Sequence, residues 1–320
     1  KEFEGIKGKE TESKLKTTTQ TIPPNPPFNL TILQTQAYNL HGITPIKTVQ
    51  AAQSLYLAGL ISYPRTSSQK LPESIDYKSI LKKLAKEYSV EHLIKKKKPI
   101  EGKGTDPAHP SIYPTGEKQD LDGDNEKIYN LIVKRFLSLF CEDAEVENKT
   151  ISIEVNKKKF STRGSSIKKK AWMEIYPYKL KEQEIPNIEG NVKIIDSKIE
   201  QKETQPPKRY SPASILTQLE KKNLGTKATR ASILETLYNR NYIKEKSIEV
   251  TPLGMSLIAT LKKYSPIIID EKLTRNFEEE MQKIRESKTN LLEKEKKVID
   301  EAKKTITGIT SEFKENEVKI

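Results

Sequence analysis

One supersecondary pattern occurs twice in the chain, and it restricts the fold more than any other feature of the sequence. A constant shift in numbering places residues 55–56 on 237–238, a Leu-Tyr pair in both copies, and Ile61 on Ile243. In each copy an amphipathic helix, a turn and a second helix are followed by a strand. Because this order is that of a winged-helix unit, we predict two such units.

Prolines and a change of periodicity divide the chain further. PPNPPF at 23–28 and the prolines at 206–207 interrupt the helical regions, and the intervening stretch from 148 alternates as strands do. The fold class is therefore predicted as multidomain α+β. The predicted domains are a discontinuous β-rich domain of 1–23 and 149–205, a first winged-helix domain of 24–148, and a second winged-helix-containing domain of 206–320 with C-terminal helices.

Individual strands are predicted from alternation of apolar and polar residues. The N-terminal 22 residues are predicted to include an edge strand. The other predicted strands of this domain are TISIEV at 150–155, KKKFSTRG at 157–164, WMEIY at 172–176 and NVKIIDSKI at 191–199.

Charge indicates the class of partner. Lysine and arginine outnumber aspartate and glutamate by 57 to 44, for a net charge of +13, which favours a polyanion such as nucleic acid. A single cysteine, Cys141, excludes a disulfide within the chain. Without an apolar run of about 18 residues, we expect no membrane association and a cytoplasmic, nucleoid-associated protein.

The segment GLISYPRTSSQ at 59–69 carries the most suggestive chemistry. A strand over 60–65 would place Tyr63, Arg65 and Ser67 on one face, and a proline at position 64 would make it an edge that a large substrate can approach. Tyr63 can be a packing residue, since strands favour tyrosine. It can instead be a nucleophile, which requires cationic neighbours or a metal because an ordinary phenol is protonated at neutral pH.

GLISYPRTSSQ resembles the active-site segment of the type IA DNA topoisomerases, in the form found in the topoisomerase III and archaeal branch. Further blocks that resemble the family occur in the family's order and cover almost the whole chain. They are the run PPFNLT…SYPRTSS at 26–68, DPAHPSIYPTG at 106–116, STRGSSIKKKAWMEIYP at 161–177 and SPASILTQLEKKNLGTKATRASILETLYNRNYI at 211–243. The resemblance implies part of a ring, with two CAP-like winged-helix domains and a β-rich arch.

The resemblance also implies a reaction. Tyr63 would form a 5′-phosphotyrosyl bond with one DNA strand and release a 3′-hydroxyl, and strand passage and religation would relax negatively supercoiled DNA without ATP. Arg65 would steady the scissile phosphate. His109 would lie at the DNA-facing site, although a loop histidine with a structural role is the alternative reading of that residue.

The matched motifs imply DNA contacts as well. They fall on the nucleophile segment, on the histidine block and on a GxxATR-type turn, where Thr229 can also cap a helix. Lys227 stands where the family often has proline, and Ser67 replaces an aspartate of the bacterial branch, so no carboxylate role is carried over. The implied contacts are Ser67, Ser68, Thr115, Lys227, Thr229 and Arg230.

The family binds Mg²⁺ in a toprim domain, which these 320 residues do not match. Asp122-Gly123-Asp124 is predicted as a helix cap, so we expect no metal site here. The chain is thus expected to bind single-stranded DNA, to leave Tyr63 unusually open, and to need a toprim domain, in cis or as a separate subunit, for activity. One alternative is a non-enzymatic double winged-helix DNA-binding protein. Another is the topoisomerase half of a reverse gyrase, which the SYPRTSSQ form argues against.

Overall fold

The structure is a computed structural model that describes residues 5–287 and 289–317. Within these residues a four-stranded antiparallel sheet has the order β3-β2-β1-β4. Residues 1–4 of the predicted N-terminal strand segment lie outside the described residues. The strands are β1 (Glu10–Ile22), β2 (Ala144–Val155), β3 (Lys158–Lys169) and β4 (Gly190–Lys193).

The prediction of an edge strand at the N-terminus holds for most of β1 and is wrong at its start. β1 pairs with β2 along residues 13–22, whereas β4 covers its other edge only along residues 10–13. Among the described residues, β1 therefore has a neighbouring strand on one side only along residues 14–22, and most of its side chains there are exposed.

The prediction of a strand at WMEIY is also wrong, because residues Ala171–Glu174 form a 3₁₀ turn. Trp172, Ile175 and Tyr176 are all buried, and this spacing of three and four is that of a helix rather than of a strand. The indole N–H of Trp172 donates to the carbonyl of Ile22 over 2.9 Å. The turn therefore attaches the end of the sheet to the helical core.

The helices begin at side chains suited to capping. Asn29 accepts a hydrogen bond from the amide of Ile32 (2.9 Å), and Ser211 forms a reciprocal capping box with Ser214. The helix over 77–87 had no counterpart among the sequence predictions. The helices are α1 (Leu30–His41), α2 (Pro45–Leu57), α3 (Tyr77–Glu87), α4 (Gly123–Ser138), α5 (Pro212–Lys221), α6 (Arg230–Asn239), α7 (Pro252–Tyr264), α8 (Glu271–Glu286) and α9 (Leu291–Glu315).

The two copies of the predicted repeat have corresponding helices. The shift that relates the sequences also relates the N-caps of α1 and α5 and the last residues of α2 and α6. In the second copy Ile243 pairs with Val250 in a hairpin of β5 (Ile243–Lys244) and β6 (Glu249–Val250). In the first copy Ile61 bridges instead to Pro114, so a distant loop supplies the second extended segment.

One buried cluster contains side chains from the four helices α1, α2, α3 and α4 and from the turn that follows β3. At its centre the guanidinium of Arg135 lies between two rings, 4.4 Å from the centroid of Phe28 and 3.9 Å from that of Tyr176. Nη2 of Arg135 donates to the hydroxyl of Tyr176 over 2.8 Å, and burial lowers the pKa of Arg135. The second copy packs on this body through α1 and α5, where Thr31 donates to Glu220 (3.2 Å). No helix in the described residues is long and apolar enough to cross a bilayer.

Candidate active site

The segment 59–69 is extended but does not form the predicted strand. Only Ile61 makes a ladder bridge, to Pro114. The amide of Ser62 donates to the carbonyl of Tyr113 (2.9 Å), and the amide of Tyr113 donates to the Ser62 hydroxyl (3.0 Å). Pro64 has no N–H to continue the pairing, so the strand prediction fails after this point.

The predicted alternation of faces is nevertheless present. Pro64, Thr66 and Ser68 are buried, whereas Tyr63, Arg65 and Ser67 are half-buried on the other side of the segment. Ser68 is only 2% exposed, and its hydroxyl accepts a hydrogen bond from the amide of Lys70 (3.1 Å). The side chain of Ser68 is therefore turned inward, because alternation turns every second side chain of the segment inward, and a direct DNA contact through Ser68 stays a prediction.

Tyr63 and His109 are brought together. Their ring centroids are 4.6 Å apart, and on the other side Tyr56 meets Tyr63 edge-on at 5.3 Å. Tyr63 is therefore half-buried rather than unusually open, since these two rings cover part of its surface. Among the described residues its hydroxyl has no hydrogen-bond partner, which leaves that oxygen available to a substrate.

Arg65 lies two residues from Tyr63 on the same half-buried face. No carboxylate of the described residues forms an ion pair with it, and its buried Nε has no hydrogen-bond partner. A guanidinium without an internal partner retains its donors for a planar anion, such as a carboxylate or a phosphodiester.

The carboxylate of Asp106 organises the site, and the sequence predictions did not include it. Oδ1 accepts from the amides of Ala108 (3.1 Å) and His109 (3.2 Å). Oδ2 accepts from the amide (3.2 Å) and the hydroxyl (3.1 Å) of Ser67, and it forms an ion pair with Lys227. The tripeptide Asp-Pro-Ala is the local signal for this role in the sequence, since aspartate often accepts from amides two and three residues later.

The Asp106 side chain is 3% exposed and that of Lys227 is 33% exposed. Burial alone would raise the pKa of Asp106, but the hydrogen bonds from Lys227, Ser67 and Ala108 outweigh it and hold the pKa well below its usual range. Two of the predicted DNA contacts, Ser67 and Lys227, are thus already engaged with a carboxylate.

The turn before α6 also differs from its prediction. Thr229 occupies the N-cap position, but its side chain makes no capping bond to α6. Its hydroxyl accepts instead from the amide of Thr226 (2.9 Å), so the expected cap is wrong as a side-chain interaction. Thr229 itself is exposed. This turn and α8 line a cavity of about 610 Å³.

Arg230 holds this turn from inside. Its Nε donates to the carbonyl of Leu224 (3.0 Å), and Nη1 lies 3.7 Å from Glu220. Burial lowers the pKa of Arg230, and Glu220 opposes that effect. Thr115, another predicted DNA contact, donates its hydroxyl to the carbonyl of Gly59 (2.7 Å) and so fixes the turn that precedes the nucleophile segment.

The described residues do not fit a metal ion. Within them there is no group of three or more His, Cys, Asp or Glu side chains that could hold one. Asp122 is the N-cap residue of α4, as predicted, although its side chain makes no capping hydrogen bond, and Asp124 lies in the first turn of the helix.

Comparison with known proteins identifies the family. A family model described as DNA topoisomerase matches residues 3–295. The chain belongs to the type IA DNA topoisomerase family. It is 48% identical over 312 residues to DNA topoisomerase 1 of Pyrococcus horikoshii, covering 93% of this chain and 45% of that relative. It is 44% identical over 323 residues to DNA topoisomerase 1 of Methanothermobacter thermautotrophicus, covering 98% of this chain and 44% of that relative.

The fold agrees with a solved topoisomerase. The full-length topoisomerase I of Thermotoga maritima superposes with a TM-score of 0.76 at 25% identity, covering 94% of this chain and 52% of that one. The family resemblance and the mixed α+β class predicted from the sequence are confirmed. The chain spans less than half the length of the two archaeal topoisomerases described above.

Proposed function

We propose that the chain supplies the nucleophile and much of the DNA-binding surface of a type IA topoisomerase. The observation that carries the proposal is the ring contact between Tyr63 and His109, with Arg65 two residues further along the same half-buried face, in a chain that belongs to this family. Among the described residues the Tyr63 hydroxyl has no hydrogen-bond partner, and the Arg65 guanidinium has no ion-pair partner and an unpartnered Nε.

The proposed reaction is a transesterification. The Tyr63 oxygen attacks the phosphorus of a phosphodiester in one DNA strand and loses its proton. The bond from phosphorus to the 3′ oxygen breaks, that oxygen takes up a proton, and the 5′ phosphate stays on Tyr63. Because one ester replaces another, religation by the 3′-hydroxyl needs no ATP, and passage of a second strand between the two steps relaxes negative supercoils.

Each neighbour has a proposed part in this reaction. Arg65 binds the scissile phosphate and stabilises the charge that develops on its oxygens. His109, whose ring contacts that of Tyr63, lies at the DNA-facing site and moves a proton to or from the reacting oxygens. The exposed Thr229 is a further proposed contact with a DNA phosphate, whereas Ser67, Thr115, Lys227 and Arg230 shape the surface on which the strand lies.

Other features of the whole enzyme are proposed from the family resemblance. The two helix–helix–strand copies act as winged-helix domains, and the four-stranded sheet forms an arch that opens for strand passage. A toprim domain, in cis or as a partner, brings the Mg²⁺ site, because the described residues offer no suitable group of ligands. The domain divisions at 24, 149 and 206 remain part of this proposal.

Covalent capture tests the proposal. The part of the Pyrococcus horikoshii relative that this chain does not span is joined to it, and the chimera is mixed with 5′-labelled and 3′-labelled single-stranded DNA and Mg²⁺, then denatured. We expect an adduct that retains only the label 3′ to the cleavage site, as a 5′-phosphotyrosyl bond requires. Tyr63→Phe should abolish it, whereas Tyr56→Phe, which keeps the neighbouring ring, should not.

The intact Pyrococcus horikoshii protein serves as the positive control in this experiment. If that protein forms the adduct and the chimera does not, or if Tyr63→Phe forms it equally well, the enzymatic proposal is wrong. Binding of single-stranded DNA without any adduct would then support the second candidate, a non-enzymatic DNA-binding protein with two winged-helix units.

A further inference from the structure

Asp106 lies at the meeting point of three segments that are distant in the sequence. Its two oxygens contact Ser67 of the nucleophile segment, the amide of His109 in its own loop, and Lys227 of the turn before α6. Lys227 is 121 positions away and belongs to the second helix–helix–strand copy. One side chain therefore links the second copy to the nucleophile segment and to the loop of His109.

From this geometry we propose that Asp106 is a positioning residue, which holds His109 against Tyr63 and makes that placement depend on Lys227. The proposal rests on the function proposed above and adds a residue to it. The chain of contacts is short. Lys227 pairs with Asp106, Asp106 accepts from the His109 amide at 3.2 Å, and the His109 ring lies 4.6 Å from that of Tyr63.

The burial of the carboxylate makes the arrangement sensitive to each partner. With 3% of its side chain exposed, Asp106 cannot replace a lost partner by water without a local opening of the loop. Removing the charged partner of a buried carboxylate leaves an uncompensated charge. The remaining donors, which are the amides of Ser67, Ala108 and His109 and the hydroxyl of Ser67, must then shift to stabilise it.

The ion pair also decides between two roles for Lys227, which are binding a DNA phosphate and positioning Asp106. A lysine that binds a DNA phosphate must have a free charge, but the charge of Lys227 is already offset by Asp106. Arg65, in contrast, has no carboxylate partner among the described residues. We therefore assign the phosphate contact to Arg65 and the positioning role to the pair of Asp106 and Lys227.

The first test measures cleavage and binding separately in the chimera described above. Asp106→Asn and Lys227→Met should each lower the single-turnover rate of adduct formation by about tenfold at saturating DNA. The Kd for single-stranded DNA should change by less than about twofold, because neither residue is a phosphate ligand here. The double variant should be no slower than the slower single variant, since the two residues act as one unit.

Two control variants accompany this test. Lys227→Arg keeps the cation and should retain the rate to within about threefold. Lys222→Met removes another ion pair of the second copy, the one with Glu271, and should leave the rate unchanged. The opposite result would be weaker binding of single-stranded DNA by Lys227→Met, with the slope of log Kd against log salt concentration reduced by about one and the rate at saturating DNA unchanged. Lys227 would then be a phosphate ligand, and the inference would be overturned.

A second measurement does not depend on activity. Hydrogen exchange on the 320-residue chain should show faster exchange of the amides of Ala108 and His109 in Lys227→Met, by about tenfold, and no change there in Lys222→Met. Unchanged exchange at these amides would overturn the inference even if the chimera cleaves DNA. Faster exchange in a chimera that forms no adduct would leave the coupling intact and refute the proposed enzymatic function alone.

Discussion

Trp172 attaches the sheet to the helical core, so its substitution should lower the free energy of unfolding by an amount that follows from its contacts. Trp172 is fully buried, and its indole N–H donates to the carbonyl of Ile22 over 2.9 Å. Trp172→Phe keeps an aromatic ring but removes the donor and part of the volume. The lost hydrogen bond costs about 1 kcal/mol, and the cavity left by the smaller ring costs about 1–2 kcal/mol more.

The expected loss in the free energy of unfolding is therefore about 2–3 kcal/mol, measured by denaturant titration followed by circular dichroism. Tyr178→Phe is the matched control. Tyr178 packs edge-on against Trp172 at 5.2 Å but is 38% exposed, and the substitution keeps its ring, so the loss should stay below about 0.5 kcal/mol. A loss below about 0.5 kcal/mol for Trp172→Phe as well would refute this account of the attachment.

Three further outcomes are expected. The folded-state pKa of Asp106 is lowered, so its ionised form stabilises the fold above about pH 4 and this contribution is lost as the pH falls. The difference in unfolding free energy between wild type and Asp106→Asn should therefore shrink below about pH 4 and stay constant above it. Gly254→Ala places a Cβ in a steric clash with the carbonyl oxygen of Tyr242 and should destabilise the packing of α7 on the hairpin of β5 and β6 by about 1–3 kcal/mol in thermal unfolding. Gly308→Ala, on helix α9 with nothing nearer than 4.0 Å, should instead stabilise the protein slightly. Arg65→Ala should lower the rate of adduct formation in the chimera by about a hundredfold or more, with a smaller effect on DNA affinity, and an unchanged rate would contradict its role at the phosphate.

The parts of the fold that the sequence predicted correctly are those that local chemistry determines. The N-cap residues of α1, α2 and α5 are Asn29, Thr44 and Ser211, which are types that favour this position, and the repeat relates the second copy to the first. Alternation found β2, in which Ile151, Ile153 and Val155 occur at every second position, and the strand predicted at 157–164 pairs with it as β3. These features depend on neighbours in the sequence, so one sequence is enough to recognise them.

The parts that were missed depend on contacts between distant segments. The second neighbour of β1 along residues 10–13 is β4, which arrives from residues 190–193. The turn at Trp172 is set by the carbonyl of Ile22, 150 positions away. Local alternation contains no information about either partner, so it did not predict that β1 gains this second neighbour, and it predicted a strand where the turn lies.

The candidate site shows the same division. Tyr63, Arg65 and His109 could be selected from motifs, and alternation predicted which face of the nucleophile segment is accessible. The role of Asp106 could be predicted only for its own loop, since its other partners, Lys227 and Ser67, are brought to it only in the folded chain. The burial of Ser68 was not predicted either, because its position in a motif does not reveal that its side chain is turned away from the surface.

Identification of the residue that carries the DNA is the most direct test of the central claim. The adduct formed by the chimera on single-stranded DNA is digested with nuclease and protease, and the modified peptide is sequenced by mass spectrometry. The account predicts a 5′-nucleotide on Tyr63, within the peptide that contains GLISYPRTSSQ. A nucleotide on any other residue, including the adjacent Tyr56, or the absence of an adduct while the Pyrococcus horikoshii relative forms one, would contradict it.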